Sequence, residues 1–255
     1  MVGGVGGARS RLALTCALTV SAGSDDLSPL YASEALHWPE QVSNLAAKQE
    51  VARRMAGRVS DGALVGIGSG SASYLSLLAI GDRVREESLA VQIVTSSYET
   101  QVAAGRLGLR TLPLGSVQPD WGVDGADEVD PQDRLLKGRG GALFMEKILW
   151  ATCRRMYLAI DPSKRVQRLG ERFPVPVEVH RHAVDLVGRA LAAQGCARWG
   201  LRLAGGKDGP VITEWGNVLI DAWFDEIPPG LHRELKQISG VIETGLFEGY
   251  SFELA

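Results

Sequence analysis

The sequence predicts an α/β protein, with a mainly parallel sheet flanked by helices and followed by a smaller α+β domain. Two observations carry this. Strand and helix patterns alternate from the first amphipathic segment to about residue 161, an order that calls for parallel strands and crossover helices. After Gly170 the strands instead neighbour one another in hairpin-like order, with two helices between, as in a small α+β unit. The composition permits such a fold. The 255 residues are 45% hydrophobic and 22% charged, an ordinary globular balance in a chain long enough to bury a sizeable core.

Each element has its own justification. Val51, Met55 and Val59 recur at helical spacing, with Lys48, Arg53 and Arg54 on other faces, and Ser60-Asp61-Gly62 stops that helix. Residues 63–67 are a short buried strand. A second helix spans 72–80 and ends at Gly81-Asp82. Strands follow at 89–94 and, more weakly, at 111–114. Trp121-Gly122-Val123 leads into an acidic loop. Residues 141–156 are a long helical stretch, and 157–160 a strand ending at Asp161. In the second domain, 173–179 alternates with a period of two. A helix is expected around 184–194 and strands at 198–203, 211–213 and 218–224. Pro228-Pro229 opens a last helix around 231–238.

The N-terminus stands apart. Residues 1–23 carry Arg9 and Arg11 ahead of a modestly apolar stretch, the outline of a targeting peptide, but Thr15, Cys16 and Thr19 interrupt it. Residues 1–40 are therefore expected to form a flexible extension, with organelle targeting by 1–23 as the alternative, and the folded part to begin near Gln41. The three cysteines, Cys16, Cys153 and Cys196, make no CxxC pair and no disulfide framework, which favours a reducing, cytoplasmic compartment. The formal charge of −3, from 27 basic and 30 acidic residues, offers no basic excess for nucleic acid. No apolar run approaches the ~18 residues needed to span a bilayer.

Three segments carry chemical information. In Gly66-Ile67-Gly68-Ser69-Gly70-Ser71, between a strand and a helix, glycines permit a tight turn and the helix N-terminus offers free N–H groups to an anion. It matches neither GxGxxG nor a P-loop; anion binding is the expected role, with an ordinary βα turn as the alternative. Asp124-Gly125-Ala126-Asp127-Glu128-Val129-Asp130 places four acidic residues after a strand end, where open α/β sheets bind ligands. Two carboxylates there can share protons or order hydroxyls; a solvated acidic turn is the alternative. In Lys137-Gly138-Arg139-Gly140-Gly141-Ala142, a lysine precedes a glycine-rich turn and can approach a phosphate or a developing oxyanion. Glu146, about one helical turn further on, is either a general base or a surface residue paired with a nearby cation. His37, His180, His182 and His232 have no metal-like spacing, so no metal and no cofactor is expected. Trp199, Trp215 and Trp223 are expected in the core or an interface.

The order of these motifs strongly resembles the ribose-5-phosphate isomerase A family. The resemblance rests on residues 66–71, 124–129 and 136–143 with Glu146-Lys147, on Ile-Asp-Pro-Ser-Lys (160–164), on Pro-Val-Pro-Val-Glu-Val (174–179) and on Gly-Val-Ile-Glu-Thr-Gly-Leu-Phe (240–247). It runs from about residue 44 to 247. It implies a Rossmann-like α/β catalytic domain of residues 41–172 with 246–255, and a ferredoxin-like α+β domain of 173–245, assembled as a homodimer or homotetramer. The implied reaction interconverts ribose 5-phosphate and ribulose 5-phosphate through an enediolate without a metal, on a small-molecule sugar phosphate, with no nucleic-acid or membrane partner. Carried over by position, Glu146 is the proton-shuttling base, and Asp124, Asp127 and Lys137 surround the reacting end of the sugar. Ser69, Gly70, Ser71 and Ala72 form the phosphate-side loop, supported by Lys48 and Lys164. Gly125, Ala126, Gly138, Arg139 and Gly140 line the substrate.

The sequence departs from that family's pattern in four places. Ala72 replaces a hydroxyl residue, Arg139 a glycine, and Glu214-Trp215 an Asp-Asn pair, while only Glu248 to Ala255 follow the 245–247 motif. The competing readings are another sugar-phosphate enzyme, or a CoA transferase with a glutamate nucleophile, on a related fold, or a non-catalytic sugar-phosphate sensor.

Overall fold

Residues 42–255 are described by the computed structural model, and the extension expected in residues 1–40 lies outside the described residues. Along the chain, α1 (Leu45–Gly57) leads to β1 (Leu64–Ile67), α2 (Gly70–Glu87), β2 (Gln92–Thr95), α3 (Tyr98–Arg106), β3 (Arg110–Thr111) and β4 (Trp121–Asp124). Next come β5 (Glu128–Val129), β6 (Leu135–Leu136), α4 (Leu143–Thr152) and β7 (Met156–Leu158). The remainder is β8 (Val175–Val179), α5 (Val184–Ala193), β9 (Cys196–Leu201), β10 (Val218–Phe224), α6 (Leu231–Lys236), β11 (Val241–Thr244), β12 (Leu246–Phe247) and β13 (Glu253–Leu254).

The first sheet has the order β13-β7-β4-β1-β2-β3, and every neighbouring pair is parallel. Its central strands are covered on both faces, so Val65, Ile67, Ile93, Val94 and Val123 are wholly buried. Each such side chain contributes roughly 1.5–3 kcal/mol by leaving water. The chain leaves β1 towards β2 on one side and returns to β4 on the other. The crevice beyond the carboxyl ends of β1 and β4 is therefore a topological switch point, where open parallel sheets bind ligands.

The second sheet has the order β11-β8-β10-β9 with all pairs antiparallel. Its chain order, β8-α5-β9-β10-α6-β11, makes it a ferredoxin-like unit, as expected. A third, small antiparallel sheet, β12-β6-β5, ends β6 at the residue before Lys137.

Several elements differ from the sequence expectations. Helix α2 runs straight through Gly81 to Glu87, where Ser88 turns left-handed at φ 54°. Gly81 is a packing contact rather than a stop, because a Cβ there would come within 2.8 Å of Leu107. Helix α3 had no counterpart in the pattern reading, although Ser97 caps it by accepting the Thr100 N–H. Helix α4 ends at Thr152, not 156: Cys153 is already extended, and Met156 pairs with Gly122 in the sheet. The period-two segment is not wet on one face, since all five residues of β8 are buried. Residues 211–213 form only an isolated bridge, Ile212 to Val218, and the strands expected at 89–94 and 111–114 contract to β2 and β3.

Candidate active site

The turn between β1 and α2 is shaped by what it touches. Gly68 approaches Asp124 so closely that a Cβ would lie 2.1 Å from its Oδ1. Gly70 has φ +78°, a conformation glycine adopts without steric cost. Ser69 occupies the N-cap of α2, yet its hydroxyl does not cap the helix. It donates instead to Glu146 Oε1 at 2.5 Å. The first N–H groups of α2 thus keep their positive dipole end without a side-chain acceptor from the cap.

Lys137 and Glu146 meet across this turn. Glu146 enters from the first turn of α4 and is 4% exposed; Lys137 follows β6 and is 3% exposed. Their charged groups lie 3.3 Å apart. Lys137 Nζ also donates to Asp124 Oδ2 at 2.9 Å and to the Gly125 carbonyl at 2.5 Å. Burial pushes the Glu146 carboxyl up to about 7, with Asp124 and Asp127 adding to the rise and Lys137 and Ser69 opposing it. Burial alone would lower the Lys137 ammonium, but Asp124 and Glu146 outweigh it and hold it at about 12. Glu146 Oε1 is occupied by Ser69 and Lys137, whereas Oε2 is buried without a hydrogen-bond partner. A carboxylate oxygen so placed is available to a proton.

Asp124, fully buried, has both oxygens engaged. Oδ1 accepts from Gly125 N (2.8 Å) and Ser73 Oγ (3.4 Å), and Oδ2 from Trp150 Nε1 (2.8 Å) as well as Lys137. Its environment makes it the anchor of Lys137. Asp127 is partly exposed and accepts one N–H, from Arg139, at 3.1 Å. The other two acids of the loop are structural. Glu128 accepts the N–H groups of Gly170, Arg172 and Phe173 at 2.7–3.0 Å, and Asp130 pairs with Arg134 at 2.7 Å. The acidic segment is thus mostly buried and bonded, and the solvated-turn reading fails. So does the reading of Glu146 as a surface residue.

A cavity of about 250 Å³ opens on the far side of the α2 turn, lined by Lys48 of α1, Ala72 and Asp161 among others. Burial and the nearby Lys164 charge lower the Lys48 ammonium, with Asp161 opposing, so two cations converge on this region. Gly138 (φ +95°) and Gly141 (φ +87°) shape the turn before α4, which Gly141 N closes by donating to Gly138 O at 3.0 Å. Among the described residues no group of His, Cys, Asp or Glu is placed to hold a metal ion.

Comparison with known proteins agrees with this geometry. The family model for ribose 5-phosphate isomerase A (phosphoriboisomerase A) matches residues 92–254. The chain belongs to the ribose 5-phosphate isomerase A family. It is 43% identical over 204 residues to the ribose-5-phosphate isomerase A of Thermosynechococcus vestitus, covering 78% of this chain and 86% of that one. With the enzyme of Methanothermobacter thermautotrophicus it shares 41% over 204 residues, covering 79% and 89%. The solved structure of the Methanocaldococcus jannaschii isomerase superimposes with a TM-score of 0.79 at 36% identity, covering 82% and 93%. A D-ribose-5-phosphate isomerase solved in complex with phospho-erythronic acid gives 0.77 at 34%, covering 81% and 92%.

The departures from the isomerase A pattern can now be placed. Ala72 is buried on the wall of the Lys48 cavity. The Arg139 guanidinium does not turn towards it but stacks over Phe173, 4.2 Å from the ring centroid. Glu214 Oε1 accepts the N–H of Tyr98 at the start of α3, and Trp215 is 56% exposed beside it. Sequence reasoning missed Trp150 and Ser73, which hold Asp124. Trp150 had left a signal, because it stands four residues after Glu146 and so shares its face of α4. Ser73 left none.

Proposed function

We propose that this chain interconverts D-ribose 5-phosphate and D-ribulose 5-phosphate by proton transfer, with Glu146 as the single base. The observation that carries the assignment is the buried Glu146 carboxyl, with one oxygen held by Ser69 and Lys137 and the other free. A carboxyl at about 7 exchanges protons near neutral pH, as a general base should. In its ionised form it takes the C2 proton of the open-chain aldose. The electron pair shifts to the carbonyl oxygen, giving a 1,2-enediolate; the O2 hydroxyl proton passes to O1, and as the C2–O2 carbonyl forms the same carboxyl returns its proton to C1. The oxyanion needs a fixed cation, and Lys137 is the one at hand. Its donors point at Asp124, Gly125 and Glu146, and the 3.3 Å contact to Glu146 is the longest of the three. Substrate oxygen replaces that contact. Asp127, with one N–H contact, orders a sugar hydroxyl beside Gly125, Ala126 and the turn of Gly138, Arg139 and Gly140.

The phosphate takes the other end. The α2 N-terminus with Ser69, Gly70, Ser71 and Ala72 supplies directed N–H donors, and Lys48 and Lys164 supply charge. Binding energy from this remote group aligns the reacting carbons over Glu146. The phospho-erythronic acid complex of a structural relative supports a sugar-phosphate ligand. In this reading residues 41–172 with 246–255 bear the catalytic groups and 173–245 form the second domain. The chain works as a homodimer or homotetramer in the cytoplasm. Among the described residues Cys153 and Cys196 are free thiols, and no helix is long and apolar enough to cross a membrane. A coupled assay of the purified protein tests the assignment. Ribose 5-phosphate should be isomerised in preference to other aldose phosphates, and binding without turnover would instead indicate a sensor.

A further inference from the structure

We propose that Lys147 is a positioning residue for the isomerisation: its ammonium pins α4 to the corner between β11 and β12, and that one corner sets both Glu146 and Lys137. The inference rests on the reading of Glu146 as the base.

Lys147 follows Glu146 on α4 but points away from the substrate crevice into the interface with the second sheet, where it is 7% exposed. Its Nζ donates to the carbonyls of Leu246 (2.7 Å) and Thr244 (2.9 Å) and to Glu243 Oε1 (3.1 Å). His232 Nδ1 lies 3.4 Å away, and the Phe247 ring centroid 4.5 Å. Burying an ammonium is costly, and an apolar residue would join a helix to a strand more cheaply. What the lysine adds is direction, since three short bonds fix the helix against one stretch of main chain.

That stretch also holds Lys137. Lys137 N donates to Gly245 O at 2.9 Å, and Gly245 N donates to Pro176 O at 2.7 Å. The approach is so close that a Cβ at Gly245 would sit 2.2 Å from the Lys137 carbonyl oxygen. The ring of Phe247 lies 5.6 Å from the Lys137 ammonium, on the same side chain that faces Lys147. Segment 243–247 therefore grips the main chain of one catalytic group and the helix of the other. The 3.3 Å separation of Glu146 and Lys137 is a consequence of that shared grip. Releasing α4 from it moves the carboxyl relative to the cation and to the substrate, and misplacement by about 1 Å can cost ~10²-fold in rate.

The test compares Lys147→Met, Thr244→Val and Glu146→Gln in the full-length chain, with thermal unfolding as a check on folding. The Thr244 hydroxyl accepts from Leu246 N at 3.3 Å and contacts His232 at 2.8 Å, so the near-isosteric valine loosens the same corner mildly. In Lys147→Met, kcat should fall about 10–100-fold with KM nearly unchanged, because the phosphate is held from α1 and α2. The acidic limb of kcat/KM should also move to higher pH. Glu146 faces Lys137, Asp124 and Asp127, and of these only Lys137 lowers its pKa, so retreat from Lys137 raises it. Around Lys147 the charged or titratable groups are Glu243, His232, Lys236 and Glu248. The groups that act on the Glu146 ionisation are instead Lys137, Asp124, Ser69 and Asp127, so the limb reports the catalytic pair. A merely structural lysine would lower the folded fraction and leave the limb where it is. A folded Lys147→Met with wild-type kcat, or with an unmoved limb, overturns the inference. If that variant does not fold, Thr244→Val decides, and an unmoved kcat and limb there overturn it equally. Retained activity in Glu146→Gln would remove the base assignment itself; an inactive Glu146→Gln beside an unaffected Lys147→Met would remove only the role of Lys147.

Discussion

In the proposed mechanism, Glu146 is the residue at which folding and chemistry oppose each other. Its folded pKa of about 7 lies above the ordinary carboxylate value, so the folded chain holds a proton that the unfolded chain has released. The stability this group contributes is present below about pH 4.5 and is lost as pH rises through about 7. Catalysis needs the opposite form. As an ionised base, Glu146 should give a kcat/KM that rises with pH through about 7 in the free enzyme, measurable as an acidic limb in a pH–rate profile. Glu146→Gln is nearly isosteric and cannot accept the proton. It should fold, and its kcat should drop about 10²–10⁴-fold. A kcat above about a tenth of wild type would rule out the base role. Other residues divide by what they touch. Ser71→Ala should raise KM modestly, because backbone N–H groups remain, whereas Ser71→Asp sets a negative charge against the phosphate and should be far worse. Lys48 is partly exposed, so the KM penalty of Lys48→Ala should shrink at high salt. Arg139 stacks on Phe173, so Arg139→Gly should leave KM for the sugar phosphate unchanged. Steady-state kinetics at two ionic strengths separates these cases.

At the scale of elements, the site is made by strand ends and helix starts that have to come unusually close. Gly68 follows β1 against the carboxylate of Asp124, and Gly68→Ala would put a methyl group 2.1 Å from Oδ1. Overpacking of this kind costs typically 1–3 kcal/mol, and here the group displaced is the one that holds Lys137. The variant should therefore lower both the melting temperature and kcat, while Gly70→Ala, with open space around its Cβ but φ +78°, should lower the melting temperature through backbone strain rather than a clash within the protein. Calorimetry on the two variants distinguishes them. Much of this level was legible in advance. The apolar run of β1, the Ser60-Asp61-Gly62 stop and the whole of β10 follow from local pattern, because their burial is decided by the sheet they belong to. Helix α2 runs past Gly81, which local propensity weighs as a stop, because the contact with Leu107 at the C-cap of α3 needs a glycine there. The isolated bridge at Ile212 shows the converse: a tripeptide of β-formers meets β10 only at its first residue, Val218, and makes no strand of its own.

For the whole molecule, a cation built into the protein makes a bound metal unnecessary to the proposed step, and activity should survive exhaustive chelation with EDTA. Loss of activity restored by Mg²⁺ would require the loop from Asp124 to Asp130 to be reread as a metal site. Strand β9 lies at an edge of the second sheet, and Leu201, Leu203, Ile212 and Trp215 are exposed. Edges and apolar surface of that kind are usually covered, so light scattering should give the mass of a dimer or tetramer. Sequence alone determined the class of fold, the alternation of its main strands and helices, the family and the residue types proposed for the reacting end. These depend on periodicity, on turn chemistry and on motifs read within a few dozen residues. Tertiary structure decided which acids face the buried cation and which only hold the chain. Asp124 and Glu128 look alike in the sequence, yet one faces Lys137 and Trp150 while the other receives three backbone N–H groups from the 170–173 loop. A carboxylate's role is set by its charged neighbours and its loss of water, and the groups that supply both here arrive from segments far along the chain.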